Sequence, residues 1–212
     1  MIAPTKVLTA AHCVVGLRVG RLGVVVGRPR LRNTRVGARI AVVAKSVHPD
    51  FLKNGRHDLA LLTLASPTSV PPIAPATREE DDAAAQPGHV LRVAGWGSRD
   101  PFGARYPRFL KKTNQRVLSI RRCKRIYGGR AFSGVSMICA TGRRAPRWSR
   151  TFRFRINMSP CFGDSGGPLV ADTPDGPRQV GVVSFGGPIC GDAYFPAVYA
   201  RVSDGLSFIE GS

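Results

Sequence analysis

Short apolar runs rich in β-branched residues, broken at brief intervals by turn residues, set the pattern of this chain. They are LGVVVG (22–27), ARIAVVAKSVH (38–48), DLALLTL (58–64), VLRVAGWG (90–97), QRVLSI (115–120), QVGVVSFG (179–186) and AVYARV (197–202). Such spacing predicts strands of a sandwich or barrel rather than alternating βα units. No repeat at a fixed period stands out. The alanine-rich TREEDDAAAQPGH (77–89) interrupts the rhythm with four consecutive acids. Its shift in composition reads as an inter-lobe linker, with an acidic surface loop as the alternative. The terminal VSDGLSFIEGS offers a short helix starting at Ser203 or Asp204, weakened by its glycine.

Length and composition narrow the class. The 212 residues suffice for one large domain or two small lobes, and 43% of them are hydrophobic, enough for a packed core. No apolar run approaches the roughly 18 residues of a membrane helix. The opening MIAPTKVLTAAHC carries Lys6 inside its apolar stretch and no cleavage pattern of a secretory leader. The formal charge of +19 fits contact with a polyanion, but also a solvated arginine-rich surface. No zinc-finger spacing or RNA-binding aromatic signature accompanies the basic residues, so the plain charged surface is the favoured reading.

Candidate chemistry centres on CFGDSGGPLV (161–170), where Ser165 stands between an acid and two glycines. A serine hydroxyl needs a neighbouring base, and that base needs an orienting group. Of four histidines, His12 has the most informative setting, a strand-like KVLTAAHC ending in small residues and a cysteine. His48, His57 and His89 read as surface or structural residues. Asp58 opens the apolar DLALLTL, where a carboxylate entering the core requires a hydrogen-bond partner such as an imidazole N–H.

TAAHC, DLALL and GDSGGPLV, in that order, resemble the three signatures of the trypsin/chymotrypsin-like serine protease family, peptidase family S1. HPDF, GWG (95–97), MICA (137–140), VSFG (183–186) and AVYARVS (197–203) extend the resemblance over nearly the whole chain. It implies an all-β fold of two antiparallel Greek-key barrels with the site between them and a short C-terminal helix. The division falls at residues 1–85 and 86–212, the first barrel being incomplete at its N-terminus. By the same resemblance Ser165 is the nucleophile, His12 the general base and then acid, and Asp58 the orienting carboxylate. Gly163 and Ser165 supply the oxyanion amides, while Ser159, Ser184, Gly186 and Ala197 line the substrate pocket. With Ser159 rather than an aspartate at the pocket base, apolar or aromatic side chains are preferred over Arg or Lys. Activity falls as His12 protonates, near an ordinary imidazole pKa of about 6.5. The implied protein is a secreted, monomeric endopeptidase acting on proteins or peptides, without cofactor or metal.

The chain also departs from that family's pattern. Five cysteines is an odd number. The resemblance pairs Cys123 with Cys139 and Cys161 with Cys190, leaving Cys13 unpaired and suggesting a missing N-terminal segment. Asp164 is the acid that in active relatives pairs with a freshly cleaved N-terminus, so a zymogen-like or inactive form is the alternative to an active one. A non-catalytic homologue acting as a binding module, or a polyanion-binding protein, are the further alternatives. The stretch ATGRRAPRWSRTFRFRINMSP (140–160) is long and basic, a solvated loop or an exosite for acidic partners.

Overall fold

Every β-branched run contributes a strand in the computed structural model, which describes residues 1–145 and 155–211. Strands β1 (Lys6–Thr9), β2 (Gly23–Val26), β3 (Ala38–Val47) and β4 (Ala60–Leu64) form an antiparallel sheet in the order β1-β4-β3-β2. A two-residue strand β5 (Ala74–Pro75) follows. Six antiparallel strands then close a barrel: β6 (Val90–Gly95), β7 (Lys111–Val117), β8 (Met137–Thr141), β9 (Pro168–Thr173), β10 (Gly176–Phe185) and β11 (Ala197–Arg201). Closure comes from β11, which pairs with β8 on one side and β10 on the other. The molecule is thus a closed six-stranded barrel beside an open half-barrel, the double-barrel architecture the motifs implied.

The side-chain alternation of β4 explains why DLALLTL is apolar almost throughout. Leu61 faces one way, into a cluster with Leu8 and Leu59, and Leu62 faces the other, into a cluster with Ile40, Val42 and Leu64. The first cluster continues into the barrel wall through Val182, Ala200 and Val202, and ends on Ile209. The barrel interior is filled separately by Leu91, Val93, Ile138, Leu169, Val180 and Tyr199. A single strand therefore serves two cores, and one of them is common to both sheets.

Among the described residues four helices decorate the strands: α1 (Pro49–Asn54), α2 (Arg78–Ala84), α3 (Ile120–Ala131) and α4 (Leu206–Glu210). The terminal helix stands where the sequence placed it, preceded by a 3-10 turn over Ser203–Gly205. The acidic segment read as a linker folds as α2. Thr77 accepts a hydrogen bond from the Glu80 amide, and the Glu80 carboxylate accepts one from the Thr77 amide, a reciprocal cap. Its acids are not merely solvated: Asp81 is fully buried against Arg201 and Ser203. Arg178 on β10 pairs with Glu80 at 2.6 Å, and β5 pairs in parallel with β10. Residues before position 86 thus already dock on the barrel. QRVLSI also ends differently from its reading as a strand. Ser119 caps α3 by accepting from the Arg122 amide, so the chain turns into a helix at Ile120.

Disulfides join Cys123 to Cys139 and Cys161 to Cys190, while Cys13 is a free thiol. The first bond ties α3 to β8. The middle of the basic stretch between Cys139 and Cys161 lies outside the described residues.

Candidate active site

His12 follows β1 in a 3-10 turn (Ala11–Cys13), and Asp58 stands two residues before the start of β4, the neighbour of β1 in the sheet. Pairing of these two strands sets the residues side by side. Asp58 Oδ2 lies 2.6 Å from His12 Nδ1, and Asp58 Oδ1 accepts from the His12 backbone amide at 2.8 Å. A third donor comes from the barrel: the Ser184 hydroxyl donates to Asp58 Oδ2 at 2.6 Å. The carboxylate is 5% exposed, so these three donors replace the water it has lost.

Ser165 stands on a loop that packs between β10 and the end of β1. Its loop is bonded to β10, with Gly166 N donating to Val183 O and Val183 N to Gly167 O, both at 2.9 Å. Val183 is the residue next to Ser184, so the serine loop is one residue removed from the Asp58 contact. Gly166, at φ +79°, also presses on the end of β1. A Cβ there would collide with Thr9 Oγ1 and approach Ala10 N to 3.2 Å, so glycine is required for the serine turn to meet the histidine turn. Gly163 has φ +91°, and the amides of Gly163 and Ser165 donate to no other group among the described residues. Among the same residues the Ser165 hydroxyl has no hydrogen-bond partner.

The residues assigned to a substrate pocket do come together. Ser159, Ser165, Ser184, Gly186 and Ala197 line one cavity of about 210 Å³, walled also by Phe195 and by the Cys161–Cys190 bridge. Gly186 faces Ala197 across it, with room for a Cβ at 3.9 Å from the Ala197 Cα. Ser184 lines this cavity while its hydroxyl is committed to Asp58, a partnership the sequence did not reveal. Ser159 also borders a second cavity of about 380 Å³, on which Asp164, Lys111, Lys112 and Arg143 open.

Asp164 points away from Ser165 into that second space. Its oxygens accept from the Gly97 amide at 2.7 Å and the Cys161 amide at 3.0 Å. The GWG motif makes the approach possible, because a Cβ on either Gly95 or Gly97 would overlap the carboxylate. No cation pairs with it among the described residues. Burial pushes the Asp164 carboxyl above its ordinary pKa, and the two amides only partly oppose this.

The electrostatics of the His12–Asp58 pair run the other way. Burial pushes Asp58 up, but hydrogen bonds from the His12 ring, Ser184 and the His12 amide outweigh it and hold the carboxyl below its usual range. The His12 imidazole is pushed up to about 10, first by its hydrogen bond to Asp58 and next by Cys13. Cys13 Sγ lies 3.4 Å from His12 Nε2, on the ring edge opposite Asp58. This differs from an ordinary imidazole titrating near pH 6.5, and the cause is an acceptor at each end of the ring.

The histidines read as surface or structural separate into different environments. His89 is exposed, whereas His48 is 8% exposed and stacks on His57 with ring centroids 4.4 Å apart.

A family model described as Trypsin matches residues 1–209. A trypsin of Saccharopolyspora erythraea is 33% identical over 201 residues, covering 94% of this chain and 79% of that protein. Glucanase inhibitor protein 2 of Phytophthora sojae is 29% identical, covering 99% of this chain and 67% of its own length. Phenoloxidase-activating factor 3 of Holotrichia diomphalia is 33% identical, with 99% and 62% covered.

Proposed function

The chain belongs to the trypsin family, and from that membership we propose that it is a serine endopeptidase acting through Ser165, His12 and Asp58. Asp58 holds the His12 Nδ1–H, which leaves Nε2 to take the Ser165 proton as the hydroxyl attacks a peptide carbonyl. The Gly163 and Ser165 amides then donate to the oxyanion, each such donor being typically worth a few kcal/mol of transition-state stabilisation. His12 returns the proton to the leaving amine, and water repeats the sequence on the acyl-enzyme. The observation that carries this reading is the pair of hydrogen bonds from His12 to the buried Asp58.

Peptide side chains of apolar or aromatic character suit the pocket, since Ser159 brings no negative charge and Phe195 and Ala197 line the wall. The two disulfides favour an oxidising, extracellular setting. A serine-directed phosphonate should label the full chain at Ser165 and leave the Ser165→Ala variant unlabelled. A mixed peptide library should show cleavage after Phe, Tyr or Leu exceeding that after Arg or Lys. Labelling that survives Ser165→Ala removes the assignment, and a dominant Arg or Lys preference removes the pocket reading alone.

The raised His12 pKa gives a second test. A protonated ring cannot accept the serine proton, so the rise of kcat/KM with pH should lie clearly alkaline of pH 6.5. Cys13→Ala removes one of the two acceptors and should move that rise to lower pH. A profile centred near 6.5 and unchanged by Cys13→Ala contradicts the role given to the thiol. Stability follows the same titration: the His12–Asp58 attraction is fully present below about pH 6.5 and is lost as pH climbs toward 10.

A second reading is a non-catalytic homologue that binds rather than cleaves. The Phytophthora sojae relative is named a glucanase inhibitor protein, and His12 Nε2 contacts Cys13 while Ser165 has no hydrogen bond among the described residues. An absence of phosphonate labelling in the native chain would favour it.

A further inference from the structure

Two histidines and an aspartate meet just ahead of Asp58, outside the cleft. His48 caps α1, its Nδ1 accepting from the Asp50 amide at 3.2 Å. His57 stacks on His48 with the rings 11° from parallel. Nε2 of His57 lies 2.7 Å from Asp204 Oδ2, and its Nδ1 lies 3.5 Å from Asp50 Oδ2. That Nδ1 is buried and makes no hydrogen bond. One nitrogen from each ring and one Asp50 oxygen all fall within 4.8 Å of one another.

A buried polar atom without a partner calls for an explanation, and the chemistry here supplies one. A carboxylate that fixes the Nε2–H of an imidazole leaves the Nδ1 lone pair directed outward, the arrangement that carboxylates impose on metal-binding histidines. For bonds of about 2.1 Å, tetrahedral ligands stand about 3.4 Å apart. The 3.5 Å between His57 Nδ1 and Asp50 Oδ2 already matches that edge. Asp50 and Asp204 together carry the charge to balance a dication. Two imidazoles and a carboxylate suit zinc better than calcium or magnesium.

We propose that His48, Asp50 and His57 form a binding site for a divalent transition-metal ion of the zinc type, with water as fourth ligand and Asp204 orienting His57. The ion would clamp α1 to the turn at His57, whose φ of +51° is the sole positive value among described non-glycine residues. That turn leads directly into Asp58, so occupancy would stiffen the backbone carrying the carboxylate.

Zinc competition against a chromophoric chelator, with cobalt absorption as a second probe, tests the site on the full chain. One equivalent should bind, and cobalt should give the intense visible bands of a four-coordinate ion. His57→Gln should abolish uptake. Asp50→Asn, at a side chain 41% exposed and so safe for folding, should weaken binding at least tenfold. Cys13→Ser should retain the ion, which separates this site from the Cys13–His12 pair. Absence of zinc uptake by the native chain overturns the proposal. So does uptake unchanged by Asp50→Asn or lost in Cys13→Ser.

Discussion

Exchanging Asp58 for asparagine should lower kcat by about four orders of magnitude while leaving the fold in place. The carboxylate accepts from three donors, the His12 ring, the His12 amide and Ser184. An asparagine has one oxygen to serve them, and its NH₂ must face a donor. If it faces the ring, Nδ1 becomes an acceptor and the proton moves to Nε2, where the base is needed. If it turns, the His12 backbone amide, which bonds the other oxygen, loses its partner. Either way the imidazolium formed during attack has no opposite charge beside it. Steady-state kinetics on an ester substrate would read the loss, with circular dichroism to verify the fold. A fall of less than tenfold would mean that Asp58 anchors the strand without orienting a base.

The largest effect on stability should come from Asp81→Ala. Asp81 is fully buried, and its Oδ2 accepts from both Arg201 and the Ser203 hydroxyl. Removing it leaves the Arg201 guanidinium buried with no opposing charge, and breaking one member of such a pair typically costs about 3–5 kcal/mol. Urea unfolding should record a lower midpoint with little change in slope. Arg201→Met in the same background should recover much of the loss, because it removes the stranded charge. A variant that unfolds within about 0.5 kcal/mol of the native chain would show that water reaches Arg201.

The strands were legible because burial on a pleated surface demands β-branched residues: β2, β3, β4, β6 and β11 lie within runs read from the chain, and β10 begins three residues ahead of its run. The helices were harder for definite reasons. In α2 the cap at Thr77 and Glu80 is local and readable, but four acids in a row suggest solvation, and only the tertiary partner Arg201 shows that Asp81 is interior. In α3 the paired glycines near its end mask the helical period, and Gly128 indeed breaks from helical geometry at φ +76°. Around the candidate site, residue types were legible and partnerships were not. Nothing local in VSFG says that Ser184 turns its hydroxyl to Asp58, and nothing in HPDF or RHD says that His48 and His57 stack. Those contacts join residues nine and 126 positions apart. The sequence pattern records which side chains are polar, whereas the strand register decides which of them meet.

The core cluster shared by the two sheets bears on how the molecule comes apart. Leu8, Leu59 and Leu61 from the half-barrel interlock with Val182, Ala200 and Val202 from the barrel wall. Neither sheet can open alone without exposing the apolar face of the other. Melting should therefore be a single cooperative event, and amide exchange in β4 and in the Val180–Val183 part of β10 should slow to the same limiting rate. His12 and Asp58 ride on one partner of this union, Ser165 and Ser184 on the other. Their mutual distances are consequently set by the part of the protein expected to exchange most slowly.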